Sequence, residues 1–168
     1  MYAKLKQLYP NADFTSDIIL QDDGDGVYIK HFDTAKLGTQ PTQAAIDAVA
    51  VLIKTEIWTR IKTERDRRIQ NGGYKVGAKW YHSDTFSRTQ QMGLVMMGAN
   101  LPANVQWKTM DNTFVTMTQT LAGQIFGTAA ASDIAIFSAA EAHRVAMEAS
   151  ADPAAYDFTG GWPPMFGA

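Results

Sequence analysis

PTQAAIDAVAVLIKTEIWTRIKTERDRRIQ, residues 41–70, is the stretch on which the fold turns. Pro41 presets a helical φ and gives up an N–H that a first turn leaves unpaired; Thr42 is the other candidate for the opening cap. Neither Gly nor Pro follows until Asn71-Gly72-Gly73, where the chain can turn through left-handed φ. Ile46, Val49, Ile53, Ile57 and Ile61 recur every three or four residues and form one apolar stripe. At about 1.5 Å per residue such a helix is roughly 45 Å long, more than a small domain needs as packing material. It predicts a spine joining two modules, or an assembly helix.

The flanks of the spine differ. Residues 1–40 read as a small N-terminal module. Tyr2, Leu5 and Leu8 form a turn or two of helix that Tyr9-Pro10 stops, and strands over Phe14–Leu20 and Val27–Phe32 flank Asp22-Asp23-Gly24-Asp25-Gly26. Asp and Gly tolerate φ > 0, so that run is a hairpin turn. It resembles the start of a calcium loop, but the late glutamate of such a loop is missing and a strand follows where a helix should. Residues 71–168 read as an α+β domain in the order hairpin, helix, hairpin, helix. The first hairpin is Tyr74–Val76 with Lys79–His82, and a helix capped by Ser83 or Asp84 runs to about Ala99. Val105–Met110 and Phe114–Met117 turn at Asp111-Asn112, and a second long helix runs from Thr118 to about Ser150.

Composition narrows the function. The 168 residues are 46% hydrophobic, enough for a real core, and the net charge is −2, so nothing pulls the chain as a whole toward nucleic acid or an anionic membrane. Cysteine is absent, which removes disulfides, thiolate catalysis and Cys-ligated zinc. The N-terminus lacks a basic-then-apolar signal and no continuous apolar run reaches membrane-spanning length, so a soluble, non-secreted protein is expected. Charged residues make up only 19%, below the usual quarter, a sign of surface covered by a partner.

No residue pattern carries catalysis. His31, His82 and His143 are scattered and fit no two-His metal motif, and Glu141 and His143, two apart, point to different helix faces. No nucleophile elbow, phosphate loop or dinucleotide fingerprint occurs, so no cofactor, metal or catalytic residue is expected. Glu64-Arg65-Asp66-Arg67-Arg68 reads as a solvated last turn with cations near the helix C-terminus. Trp80 and Trp107, late in their strands, read as packing between hairpins. Tyr156, Phe158, Trp162 and Phe166 lie in a Gly/Pro-rich tail that supports neither helix nor central strand. Such a tail frays unless docked, so its aromatics pack on their own domain or anchor a partner.

Three stretches resemble a known family. Arg65-Asp66-Arg67-Arg68 through Asn71-Gly72-Gly73, Gly77-Ala78-Lys79-Trp80-Tyr81-His82-Ser83-Asp84 and Gln106-Trp107-Lys108-Thr109-Met110-Asp111, with the terminal Gly161-Trp162-Pro163, are similar to a phage and prophage domain of unknown function found in or beside tail-fibre genes. The likeness covers about residues 60–165. Tyr9-Pro10, Asp13-Phe14, Asp22-Asp23-Gly24 and Pro41-Thr42 are similar to the leaders of phage tail-associated proteins. The resemblance implies a non-enzymatic tail protein that binds a tail-fibre or baseplate protein, as assembly chaperone or virion component, in the host cytoplasm during assembly or in the virion tail. The alternative is a fibre-associated carbohydrate-binding or hydrolytic module, with Asp84 and Asp111 the carboxylates nearest Trp80 and Trp107. A forty-residue module covers Val49, Ile53 and Ile57 only in part, so these residues are expected to self-associate. Fibre proteins are commonly trimeric, which makes a trimer the first expectation. Nucleic acid and membrane are not expected as partners.

Overall fold

In the computed structural model, which describes residues 1–168, the long helix forms as its spacing predicts. It runs from Gln43 to Asn71 (α3), and Thr42 is the cap, its Oγ1 accepting from the Ala45 N–H at 3.2 Å. At the far end the Gly72 N–H bonds the Arg68 carbonyl, and Gly73 takes φ +68°. At that φ a side chain would be strained, and it would crowd the Tyr81 carbonyl as well as Met110 Sδ, so glycine suits the turn out of the helix.

The other helices are Tyr2–Leu8 (α1), Thr34–Leu37 (α2), Thr85–Met97 (α4) and Gln119–Ala149 (α5). The strands Ile18–Asp22 (β1), Val27–Phe32 (β2), Tyr74–Val76 (β3), Lys79–Tyr81 (β4), Gln106–Lys108 (β5) and Phe114–Thr116 (β6) pair as three separate antiparallel hairpins. The fold is α+β. Two compact units divide the chain: Met1–Thr59 with Met147–Tyr156, and Arg60–Ala146 with Asp157–Ala168. Both α3 and α5 therefore contribute residues to each unit.

In the first unit Leu5, Ala12, Ile18, Phe32 and Ile46 form the core, and Tyr9 meets Phe32 edge to face at 5.3 Å. The hairpin β1–β2 pairs Ile18 with Phe32 and Asp22 with Val27, with an irregularity between Ile19 and Leu20. Its turn is made by Asp22, whose Oδ1 accepts from the N–H groups of Gly24 and Gly26 at 2.9 and 3.2 Å. β1 starts at Ile18 rather than Phe14 because Asp13 and Asp17 hold the preceding residues in a turn. The Thr15 N–H donates to Asp13 Oδ1, and the Asp13 N–H to Asp17 Oδ2.

Asp17 is buried and accepts from Lys36 Nζ at 2.6 Å. That bond, with the one from the Asp13 N–H, holds its carboxyl below the ordinary 3.8. A depressed carboxylate stabilises the fold above its unfolded value and loses that contribution as pH falls through the lower folded one. The acid limb of the melting curve, below about pH 4, should therefore flatten in Asp17→Asn. A limb of unchanged steepness in thermal melts across that range would remove the Asp17–Lys36 pair as its cause.

In the second unit Tyr74, Tyr81, Met117, Ala122, Ile125 and Ala129 form the core, flanked by Leu94, Val95, Trp107 and Val115. Asp84 caps α4, accepting from the Ser87 N–H at 2.9 Å and Oγ at 2.6 Å. Behind it Arg88 is the unit's polar centre. Its guanidinium donates to both oxygens of Asp133 on α5 at 2.7 and 2.9 Å, and to the carbonyls of Ser83 and Ile69. It also lies over the Tyr74 ring at 5.6 Å. The Tyr74 hydroxyl donates to buried Gln91, whose amide reaches the His82 carbonyl, and burial pushes the phenol up to about 12. The two hairpins of this unit join through the Met110 N–H on the Trp80 carbonyl and through Lys79 Nζ on Asp111 at 2.7 Å.

The last long helix, α5, is apolar on more than its core side. By length and composition it could cross a bilayer, yet only 22% of its most apolar window is buried.

Candidate partner-binding site

The aromatic tail comes first, because the sequence offered it either to its own domain or to a partner. Three of its four aromatics are held by the second unit. Trp162 stacks at 5.0 Å on His143 of α5 and under the Arg68 guanidinium at 5.1 Å, and its Nε1–H donates to the Phe158 carbonyl at 2.7 Å. Phe158 lies beneath Arg60 at 5.3 Å, and Phe166 meets Trp80 edge on at 6.2 Å. Main-chain bonds fix the path. Arg68 Nη1 donates to the Pro163 carbonyl, the Phe166 N–H to the Gly72 carbonyl, and His143 Nε2 bonds the Gly160 carbonyl. Tyr156 is half-buried in the first unit, so the structure does not gather all four aromatics into one surface.

This corrects the reading of the arginine-rich helix end as a solvated turn. Arg65 lies over Phe137 at 4.7 Å, and Arg68 is mostly buried against the tail. Glu64 binds Arg67 at 2.7 Å and Arg68 at 2.6 Å, orienting the guanidiniums, and the Arg67 bond foremost holds its carboxyl low. Planar cations on aromatic faces gain about 0.5–2 kcal/mol each, which a solvated arginine forgoes. The signal was present in two distant segments, arginines in one and aromatics in the other.

The α3 stripe is likewise spent within the chain. Val49, Ile53 and Ile57 are 5%, 8% and 4% exposed, and Ile46 belongs to the first unit's core. Self-association through these three residues is thus not supported. The physical reason is that the single chain covers more of the stripe than residues 1–40 could, because residues 147–156 also join the first unit. Lys54 Nζ, for example, donates to the Glu148 carbonyl at 3.0 Å.

Among the surfaces left open is a cleft of about 470 Å³ in the second unit, between α4 and the β5–β6 hairpin. Phe86 on α4 and Phe114 on β6 are 72% and 62% exposed on its walls. Trp107 forms part of the lining, with Gln90, Gln106 and Lys108 among its polar groups. The Trp107 indole N–H is buried without a partner. Two large rings in water, with amide donors and acceptors between them, make a surface that gains by being covered. Sequence reasoning missed Phe86 and Phe114, since each fits an ordinary core position of its element.

The carboxylates of the hydrolytic alternative are occupied. Asp84 caps α4, and Asp111 ties its turn together through Lys79, Thr109 and Thr113, bonds that keep it far below the usual carboxylate range.

With this geometry in view, comparison of the chain with known families is decisive over its larger part. Residues 52–160 match the model described as Domain of unknown function (DUF4376). The chain belongs to that family. Residues 1–63 match the XkdW protein family, so the two matches overlap within α3. Both are families typical of phage proteins, and XkdW is a phage-associated one. No curated protein and no solved structure matches this DUF4376 protein significantly. The matched region contains the cleft and most of the arginine–aromatic clamp.

Proposed function

We propose that this DUF4376 protein is a non-enzymatic component of phage tail assembly that binds a tail-fibre or baseplate protein, as a chaperone or as a subunit that stays in the virion. The observation that carries the reading is the exposed pair Phe86 and Phe114 on the cleft walls, in a chain whose two family matches are both of phage type. Exposed aromatics beside a well-packed core are the usual anchors of a protein interface. With Phe158, Trp162 and Phe166 engaged by their own unit, the cleft replaces the tail as the surface offered to the partner.

The test is co-expression with the fibre and baseplate proteins of the same phage. Capture of one of them should be lost in the double variant Phe86→Asp, Phe114→Asp, while its melting temperature stays within about 2 °C of the parent, since both rings are exposed. Capture that survives the double variant sinks the cleft as the interface. Mass spectrometry of purified virions then separates subunit from chaperone. A second reading rests on the same cleft: its rings and amides also suit an uncharged glycan. Binding on a glycan array, lost in the double variant and without capture of a tail protein, would favour that reading.

A further inference from the structure

We infer that the partner segment held in the cleft between α4 and the β5–β6 hairpin is acidic. It is an extended stretch whose carboxylate pairs with Lys108 while a bulky apolar side chain close by enters between Phe86 and Phe114. This rests on the reading of the cleft as a protein-binding surface and adds the chemistry of what it holds. The observation is the charge of the walls. Of the chain's 17 acidic residues only Asp111 falls within residues 85–132, a span that includes both walls and the loop between them. α4 carries no acid, β6 carries no charge, and the only charge on β5 is Lys108. The acids just outside the walls are taken by their own chain, Asp84 as the cap of α4 and Asp111 by Lys79. His82 and Lys108 are the basic groups on the lining, which includes no carboxylate.

Covering the rings also covers the ammonium. In the β5–β6 register Lys108 is directly opposite Phe114, so the two side chains rise from one face about 5 Å apart. Gln106 and Thr116 are the next pair on that face, and Gln106 Nε2 donates to Thr116 Oγ1 at 3.0 Å. Across the cleft Phe86 and Gln90 lie one turn apart on α4. A partner that takes Phe86 and Phe114 out of water must therefore desolvate Lys108 as well. A basic segment would be repelled there, and a neutral one would leave the covered ammonium unpaired, which opposes binding. An acidic segment pairs it. Side chains at i and i+2 of an extended chain share one side, about 7 Å apart, so the acid and its apolar neighbour are expected two residues apart. Gln90, whose exposed amide is donor and acceptor at once, suits the main chain of such a segment.

The probe is the peptide acetyl-Phe-Ser-Asp-Ser-Leu-amide, titrated to about 5 millimolar against the isotope-labelled full chain and followed by amide NMR. Counterparts with Asn or Lys in place of Asp run beside it. Amide signals of residues 86–90 and 106–114 should shift, and the Asp peptide should bind about three- to tenfold more tightly than the Asn one, with the Lys one weakest. Lys108→Met should abolish the difference between Asp and Asn, and Lys108→Glu should favour the Lys peptide. Both variants should keep the parent's circular dichroism spectrum, since Lys108 is exposed. The Asn peptide leaves the protein itself untouched, so the comparison does not depend on how a variant folds. An Asn peptide that binds as well as the Asp one overturns the inference, as does an Asp preference that survives Lys108→Met, or no shift at the cleft with any peptide. So does tighter binding of octathymidylate than of the Asp peptide, which would make the cleft a nucleic-acid surface. Capture of a fibre or baseplate protein is scored separately. Capture lost in the Phe86→Asp, Phe114→Asp double variant but indifferent to Lys108→Glu keeps the cleft as the interface and overturns its acidic occupant. Capture of neither protein removes the functional reading, while the order of the peptides still decides the chemistry of the cleft.

Discussion

Trp162→Ala is expected to lower the melting temperature by about 6–12 °C, corresponding to about 3 kcal/mol for a chain of this size. The indole packs against both His143 and Arg68 and donates to the Phe158 carbonyl, so its removal loses area, a cation–π contact and a hydrogen bond at once. A graded series separates these contributions. Trp162→Phe keeps a ring between the two partners but loses the donor, and should cost about 1 kcal/mol. Arg68→Ala removes the cation and the bond to the Pro163 carbonyl, and should fall between the two. Deleting residues 157–168 removes all these contacts with those of Phe158 and Phe166, and should exceed any single change. Differential scanning calorimetry of the four variants decides the matter. If the deletion melts with the parent, the tail contributes nothing to the second unit and its aromatics must serve something else.

The second large effect is expected at Arg88→Ala, about 3–4 kcal/mol by chemical denaturation with an unchanged m-value. Arg88 neutralises Asp133 bidentately and satisfies the Ser83 and Ile69 carbonyls. Its removal leaves a largely covered carboxylate and two carbonyls without their partner. The charge alone is not the source of that cost. Arg88→Met with Asp133→Leu removes both ions and fills similar volume, and should recover part of the loss, because a paired charge first has to be desolvated. A double variant no better than Arg88→Ala would shift the weight from the unpaired charge to the two carbonyls. Tyr74→Phe should be milder, about 1–2 kcal/mol, since it leaves only the Gln91 oxygen short of a donor.

How far the sequence alone carried these arguments can be seen element by element. Helix α3 was legible because its start, its stripe and its Asn-Gly-Gly end are local signals that agree. The hairpins over Tyr74–Tyr81 and Gln106–Thr116 were legible from turn residues, and α4 from its Asp84 cap. β1 was read four residues too early because Asp13 and Asp17 bind nearby main chain, a competition that strand propensity does not register. Of the candidate site residues, the tail aromatics were found, and packing on their own domain was one of the two destinations offered for them; the arginines that cover Phe158 and Trp162 were not foreseen. The cleft walls Phe86 and Phe114 were not found, since an exposed and a buried phenylalanine have the same letter and the same periodicity.

What the sequence by itself determined is therefore the set of elements and the α+β class, because helix stripes, caps and turn chemistry are written within a few residues of where they act. Which surfaces were left over was decided only in the tertiary structure. Arg60 and Arg68 are separated by about ninety residues or more from the rings they cover, and nothing local in α3 announces that Phe158 and Trp162 will arrive. The same applies to Val49, Ile53 and Ile57, a stripe that the sequence left open to another copy and that the packing of the rest of the chain buries. Burial is a property of what comes to lie against a side chain, and in this protein those neighbours are distant in sequence.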